Sequence, residues 1–156
     1  MKLRGGIPEP NIWPWLYEIK HYLNDGKCTA NQIRPGFLLT AAHCCLDESM
    51  EITHLKTKKV YKNGRISGDD VEAFILHPAY DENNLKNDIC LIKLRERSGI
   101  IEIDESPCMP ESLNQHGSEC WIAGLGKTEN QDSSSEPRSM TINSFDRDYC
   151  INSQHR

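Results

Sequence analysis

The chain has 156 residues, enough for one domain with a hydrophobic core of ordinary size. A hydrophobic fraction of 37%, a charged fraction of 26% and a formal net charge of -5 are typical of a globular protein and argue against a surface for nucleic-acid phosphates. No run of about 18 apolar residues is present, so neither a membrane-spanning helix nor a signal segment after the basic start is predicted.

The predicted elements are short apolar runs separated by turn signals, a pattern typical of antiparallel β structure. Helical periodicity is confined to two brief segments, at 41–46 and 146–153. The pair Asn63-Gly64 indicates a hairpin turn, and residues 81–84 and 128–139 are predicted as loops. In chain order, the seven predicted strands are residues 15–21, 33–40, 51–55, 71–77, 90–94, 120–123 and 140–144. The chain is therefore predicted to be an all-β, loop-rich barrel or sandwich.

The cysteines are the most informative part of the composition. No C-x-x-C pair occurs, and the adjacent Cys44 and Cys45 are poorly spaced for a tetrahedral ion, so no metal site is predicted. A disulfide framework formed in an oxidising compartment is the better interpretation. Because the count is odd, at least one sulfur has no partner within the chain. The seven are Cys28, Cys44, Cys45, Cys90, Cys108, Cys120 and Cys150.

Two segments carry candidate catalytic residues. Leu-Thr-Ala-Ala-His-Cys at 39–44 sets His43 on a tight turn with small residues behind it, although such a histidine can also be structural. Asn-Asp-Ile at 87–89 sets Asp88 before an apolar strand, where a buried carboxylate is costly unless it is paired. Asp88 could alternatively be a turn or cap residue. Together, the two side chains would satisfy each other as the base and the orienting carboxylate of a nucleophilic relay.

With these segments in place, the chain resembles the trypsin/chymotrypsin family of serine proteases. Residues 40–44 resemble the catalytic-His motif of that family and residues 87–94 its catalytic-Asp motif. Three further motifs occur in the family's order. They are Trp-Pro-Trp at 13–15, His-Pro-Ala-Tyr at 77–80 and Cys-Trp-Ile-Ala-Gly-Leu-Gly-Lys-Thr at 120–128.

The resemblance implies a fold and a role for several residues. The fold would be a trypsin-like pair of antiparallel β-barrels, the first complete over about residues 5–110 and the second only begun over residues 111–156. His43 would be the general base, and Asp88 would hold its imidazole in the productive tautomer. Leu85 would line a substrate subsite next to His43, with a packing role as an equal alternative.

The resemblance also sorts the cysteines. It implies a disulfide between Cys28 and Cys44, behind the catalytic histidine. It places the partners of Cys108, Cys120 and Cys150 outside these residues. Because Cys45 and Cys90 are left over and flank the two catalytic motifs, we predict a bond between them. Two buried free thiols are the alternative. Four of the seven cysteines would then form two disulfides within the chain, Cys28–Cys44 and Cys45–Cys90.

The chain departs from the family in several places. No Gly-Asp-Ser-Gly-Gly-Pro or Gly-x-Ser-x-Gly segment occurs, and Ser153 has no flanking glycines. The nucleophile, the oxyanion hole, the specificity pocket and the C-terminal half of the protease domain are therefore expected to be missing. Leu-Arg-Gly-Gly at 3–6 replaces the usual Ile-Val-Gly-Gly, which argues against normal zymogen activation, and Leu125 replaces a common Trp. Residues 56–66 contain no acidic side chain, so no calcium is predicted there.

The sequence therefore predicts a serine-type endopeptidase for protein or peptide substrates, without a cofactor and inactive as this chain alone. The alternative is a non-catalytic serine-protease homologue that binds a protein partner. An extracellular location follows from the family and the cysteines, although no signal peptide is visible. Neither nucleic acid nor a membrane is expected as a partner.

Overall fold

The computed structural model describes residues 6–8, 13–20, 27–46, 56–59, 65–66, 71–96, 117–125 and 137–144. These residues form ten strands and one short 3-10 turn, so the predicted all-β class is confirmed. The 3-10 turn spans Ala42–Cys44. The strands are β1 Ile7–Pro8, β2 Leu16–Lys20, β3 Lys27–Arg34, β4 Phe37–Thr40, β5 Lys56–Lys59, β6 Arg65–Ile66, β7 Val71–Leu76, β8 Cys90–Leu94, β9 Glu119–Gly124 and β10 Arg138–Asn143.

The strands make two antiparallel sheets. The larger has seven strands in the order β6-β5-β2-β3-β4-β8-β7, and the smaller has three in the order β1-β10-β9. The larger sheet is built from one stretch of chain, whereas the smaller one joins β1 near the start to β9 and β10 near the end. The predicted boundary near residue 110 lies outside the described residues and stays a prediction, as do the limits of the two barrels.

One predicted strand is wrong, because the structure has two strands where the sequence predicted one. Residues 33–40 contain the end of β3 and all of β4, because the chain reverses at Pro35 and Gly36. Proline has no N–H for the ladder, and Gly36 adopts φ +76, a left-handed conformation that glycine takes without steric cost. The helix predicted over 41–46 is reduced to the 3-10 turn, which continues directly from β4.

Several predicted elements lie partly or wholly outside the described residues. These are the strand at 51–55, the helix at 146–153 and the turn at Asn63-Gly64. The strands on either side of that turn, β5 and β6, do pair antiparallel, as a hairpin requires.

The core of the larger sheet comes from the alternating inward residues of its central strands. In β8, Cys90, Ile92 and Leu94 are buried while the residues between them are partly exposed. The core also contains a polar contact, in which the Tyr17 hydroxyl donates a 2.6 Å hydrogen bond to Gln32 Oε1. This bond satisfies a buried hydroxyl that would otherwise be costly.

A second polar contact links the two sheets. Thr29 in β3 accepts a 3.0 Å hydrogen bond from the backbone N–H of Leu125, and its hydroxyl lies 3.2 Å from the Leu125 carbonyl oxygen. Thr40 in turn donates a 2.9 Å bond to the Thr29 carbonyl. Since Leu125 directly follows β9, one threonine side chain connects the end of the smaller sheet to the centre of the larger.

We predict that Tyr17→Phe lowers the free energy of unfolding by about 1 kcal/mol at neutral pH, because one buried hydrogen bond is lost. Burial raises the pKa of Tyr17 from 10.0 to about 12. The neutral phenol is therefore favoured in the folded state, and its contribution is lost as the pH rises from about 10 to about 12. Urea unfolding should show that the variant loses less stability over this range. Equal losses in the two proteins would contradict the prediction.

We predict that Thr29→Val loses about 1–2 kcal/mol, because the hydroxyl contacts to Leu125 disappear while the side-chain shape is kept. Thr29→Ser is the matched control, since it retains the hydroxyl. Urea unfolding gives the stability, and hydrogen exchange of the Leu125 amide reports the contact itself. Equal exchange rates in the Val and Ser variants would show that the hydroxyl does not join the sheets.

Candidate active site

The pairing of two strands brings the candidate residues together. β4 and β8 are antiparallel neighbours, and Thr40, the last residue of β4, pairs with Cys90, the first residue of β8. The chain that leaves β4 and the chain that enters β8 therefore lie at the same end of the sheet. His43 follows Thr40 by three residues and Asp88 precedes Cys90 by two, so both lie at that end.

The 3-10 turn sets the position of His43. Ala41 is extended, with φ -77 and ψ 149, and the turn starts at the next residue. Ala42 is fully buried, because its small side chain lets the turn pack directly on the core. The His43 side chain points away from that core and remains 54% exposed.

Asp88 contacts His43 through both carboxylate oxygens. Oδ2 lies 2.7 Å from His43 Nδ1, and Oδ1 accepts a 2.9 Å hydrogen bond from the His43 backbone N–H. The imidazole and the backbone N–H of His43 therefore contact the two carboxylate oxygens of Asp88. This arrangement fixes the carboxylate plane relative to the imidazole, and it favours the neutral tautomer that carries its proton on Nδ1.

The same contacts control the charge of Asp88. Partial burial acts to raise the pKa of Asp88, but hydrogen bonds from the His43 backbone and ring, the charge of a protonated His43 and the Ala42 backbone N–H outweigh it. The net result is a pKa below the usual range, so Asp88 is held as a carboxylate.

The loop that precedes Asp88 is shaped by its own polar side chains. Asp81 accepts hydrogen bonds from the Asn83 backbone and from the Asn84 amide. Asn84 accepts one from the Lys86 backbone, and Asn87 donates one to the Ala79 carbonyl. The turn signal at 81–84 indicated the reversal, but these bonds were not identified from the sequence. Aspartate and asparagine clusters of this kind are a usable signal for such turns.

Leu85 lies at the exposed side of this loop. Its side chain is 55% exposed, and its backbone has φ 54, an uncommon conformation for a residue with a branched side chain. Asn87, two residues on, also has a positive φ of 56. Leu85 therefore lies on the surface and not in the core, and its place in a substrate subsite stays a prediction.

Two disulfides flank the histidine turn. Cys44 is bonded to Cys28 in β3, and Cys45 is bonded to Cys90 in β8. Cys45 and Cys90 are fully buried. The predicted bond between Cys45 and Cys90 is present, and the alternative of two free thiols is not observed for this pair. Cys120 is a thiol. Cys108 and Cys150 lie outside the described residues.

One group of donor atoms has the proximity of a metal site. Among the described residues, Cys28, His43 and Cys44 each place a donor atom within 4.8 Å of the others. Both sulfurs are joined in the disulfide, however, and a disulfide provides no thiolate for a metal. We therefore assign no metal to this group.

The fold agrees with comparisons to known proteins. The family model described as Trypsin matches residues 4–156. The chain belongs to the trypsin family.

Three curated relatives match most of this trypsin-family chain. Human transmembrane protease serine 5 is 29% identical over 135 residues, which is 80% of this chain and 28% of the relative. Human mannan-binding lectin serine protease 1 is 26% identical over 140 residues, covering 79% of this chain and 20% of the relative. Ovochymase of Halocynthia roretzi is 26% identical over 164 residues, with coverages of 96% and 10%. The chain thus spans less than a third of each relative.

A solved structure shares the fold. The structure of GrC superposes with a TM-score of 0.70, at 20% identity, and the match covers 97% of this chain and 69% of that one. At this identity the match shows a common fold, and the trypsin-like fold predicted from the sequence is confirmed.

We predict that Asp88→Asn alters both the tautomer of His43 and the acid stability of the chain. Because the pKa of Asp88 is lowered by folding, its contribution is present above the ordinary value of 3.8 and is lost as the pH falls through the folded value. The Asp88→Asn variant lacks this acid-sensitive contribution to the free energy of unfolding. Nitrogen-15 NMR of the imidazole should show the proton on Nδ1 in the parent chain and on Nε2 in the variant.

The matched control is Asp81→Asn, which changes a carboxylate in the same loop that does not contact the imidazole ring. It should leave the His43 tautomer unchanged. The same tautomer in the parent chain and in Asp88→Asn would show that Asp88 does not orient the ring.

Proposed function

We propose that His43 and Asp88 form the proton-transfer part of a serine endopeptidase site. His43 Nε2 takes the proton from a serine hydroxyl as that oxygen attacks the peptide carbonyl, and later delivers it to the leaving amine. Asp88 accepts the hydrogen bond from Nδ1, keeps Nε2 available as the base, and stabilises the imidazolium that forms. The observation that carries this proposal is the double contact of Asp88 with His43, at 2.7 and 2.9 Å.

The exposure of the two residues supports this assignment. The imidazole is 54% exposed, whereas the carboxylate is 21% exposed. A base must reach a substrate and a nucleophile, while an orienting carboxylate needs only to reach the base. The exposure of Leu85, three residues before Asp88, supports its proposed place in a substrate subsite.

The remaining parts of the reaction are proposed to lie outside residues 1–156. These residues contain no Gly-Asp-Ser-Gly-Gly-Pro segment, and the relatives are several times longer than the matched region. Without a nucleophile and oxyanion donors, the pair has no means to stabilise the tetrahedral intermediate. We therefore propose that the 156-residue chain alone does not hydrolyse peptides.

A second candidate function is a non-catalytic homologue that binds a protein. Trp121 is 56% exposed, and its ring centroid lies 6.4 Å from that of Trp13, which in turn packs edge-on against Trp15. Trp13 and Trp15 are partly buried, so the exposed member of the group is Trp121. An exposed tryptophan is typical of a surface that another protein surface covers. This observation favours a partner protein, whereas the preserved His43–Asp88 contact favours catalysis.

The disulfides support an extracellular or otherwise oxidising location. In the part of the chain that the structure describes, no helix has the length and apolar character to cross a membrane. We propose a protein or peptide as the ligand, with no role for nucleic acid, a membrane surface or a cofactor.

The decisive experiment compares this chain with the product of its whole coding sequence. We predict that a phosphonate probe does not label residues 1–156 at any serine. We predict that the whole product hydrolyses peptides, and that His43→Ala or Asp88→Asn lowers kcat/KM about 10⁴-fold. Leu85→Ala should change kcat/KM for some peptides and not others, because it removes a binding contact only.

The control is His77→Ala, a histidine of the same region whose ring accepts a bond from the Ala79 backbone and does not contact Asp88. It should retain activity close to that of the parent. A coding sequence that ends at Arg156, or a full-length product that binds a protein equally well with and without His43 and does not hydrolyse peptides, would favour the non-catalytic homologue.

A further inference from the structure

We propose that the Cys45–Cys90 disulfide is a positioning element for the His43–Asp88 pair. This inference rests on the proposed function, since the role it gives the disulfide is to position the proposed catalytic pair. Cys45 follows His43 by two residues, and Cys90 follows Asp88 by two, so the covalent link and the hydrogen-bonded contact both join positions 45 residues apart. The two links connect the same two stretches of chain.

The His43–Asp88 contact cannot hold these stretches together unaided. Its side chains are 54% and 21% exposed, so water screens their attraction. Ion pairs in contact with solvent contribute little to stability. The relative position of the two residues must therefore be set by the backbone and by neighbouring contacts.

The backbone on the Asp88 side is a loop without a strand ladder. Residues 77–89 lie outside the strands and are held by hydrogen bonds of exposed polar side chains together with a few backbone bonds, among them His77 N–H to the Ile89 carbonyl at 2.9 Å. Asn87, directly before Asp88, has a φ of 56. Regular pairing resumes only at Cys90, which pairs with Thr40 of β4 and with Leu76 of β7.

The disulfide acts at the point where that pairing resumes. Cys45 and Cys90 are both fully buried within the core of the larger sheet. Their bond therefore attaches the residue that ends the histidine turn to the first residue of β8, two residues after Asp88. Because it is buried, water and reducing thiols have little access to it.

The other disulfide does not duplicate this role. Cys28–Cys44 joins the histidine turn to β3, on the side away from the loop of Asp88. In the described part of the chain, Cys45–Cys90 is thus the covalent link between the His43 turn and the Asp88 segment. Loss of Cys45–Cys90 should free Asp88 relative to His43, whereas the remaining disulfide would still hold the turn on the sheet.

The test replaces both cysteines in the 156-residue chain, as Cys45→Ala with Cys90→Ala. The measurements are the Nδ1–H proton resonance of His43 and the acid titration of the Asp88 carboxylate by carbon-13 NMR. We expect the low-field Nδ1–H signal to broaden or vanish, and the pKa of Asp88 to rise toward its ordinary value, in a protein that remains folded. Both readouts report the pair itself and do not depend on peptide hydrolysis. A failed endopeptidase assay would therefore leave this result intact.

Two further variants separate positioning from general stability. Leu94→Ala opens a cavity in the same strand, at the end remote from Asp88, and should lower stability without changing either NMR readout. Cys45→Val with Cys90→Ala restores most of the lost volume without the bond and should reproduce the effect of the double alanine variant. Unchanged readouts in the folded cysteine variants would overturn the proposal. Complete unfolding of both, with Leu94→Ala still folded, would assign the bond to overall stability and would also overturn it.

Discussion

The pairing of Thr40 with Cys90 is the constraint on which the rest of the site depends. It places the end of β4 beside the start of β8, and the residues just beyond each strand end are then neighbours in space although they are far apart in the chain. A one-residue slip in this register would turn the inward face of β8 toward solvent, since successive side chains point to opposite faces. The buried positions of Cys90, Ile92 and Leu94 resist such a slip.

Around this pairing, the molecule combines strong structural restraints with a weak functional contact. The disulfides and the strand ladder hold the backbone, while His43 and Asp88 meet in contact with water. In the chain-entropy description, bridges with sequence separations of 16 and 45 residues contribute about 3 and about 4 kcal/mol. These values exceed what an exposed ion pair supplies. The site can therefore remain exposed to solvent, because its geometry is held by the disulfides and the strand ladder and does not depend on the attraction between His43 and Asp88.

Membership of the trypsin family and the endopeptidase proposal rest on different evidence. The family follows from a match over residues 4–156, and the fold from superposition on GrC. The proposal follows from the Asp88–His43 contact and depends on residues beyond this chain for its nucleophile. The link between the two sheets is made by the Thr29 hydroxyl and the Leu125 backbone, so a single side chain contributes to holding one sheet against the other.

The sequence by itself determined the all-β class, most strand positions in the described part, and the two candidate catalytic residues. These depend on local patterns: alternating apolar residues, turn-forming residues and short motifs. The division of residues 33–40 at Pro35 and Gly36 was missed, although Pro-Gly is a local turn signal. Only the tertiary structure decided that β2 lies between β5 and β3, and that Cys45 and Cys90 form the predicted bond and are not two free thiols. Each of these depends on which distant strands pair, and two alternative pairings can share the same local pattern.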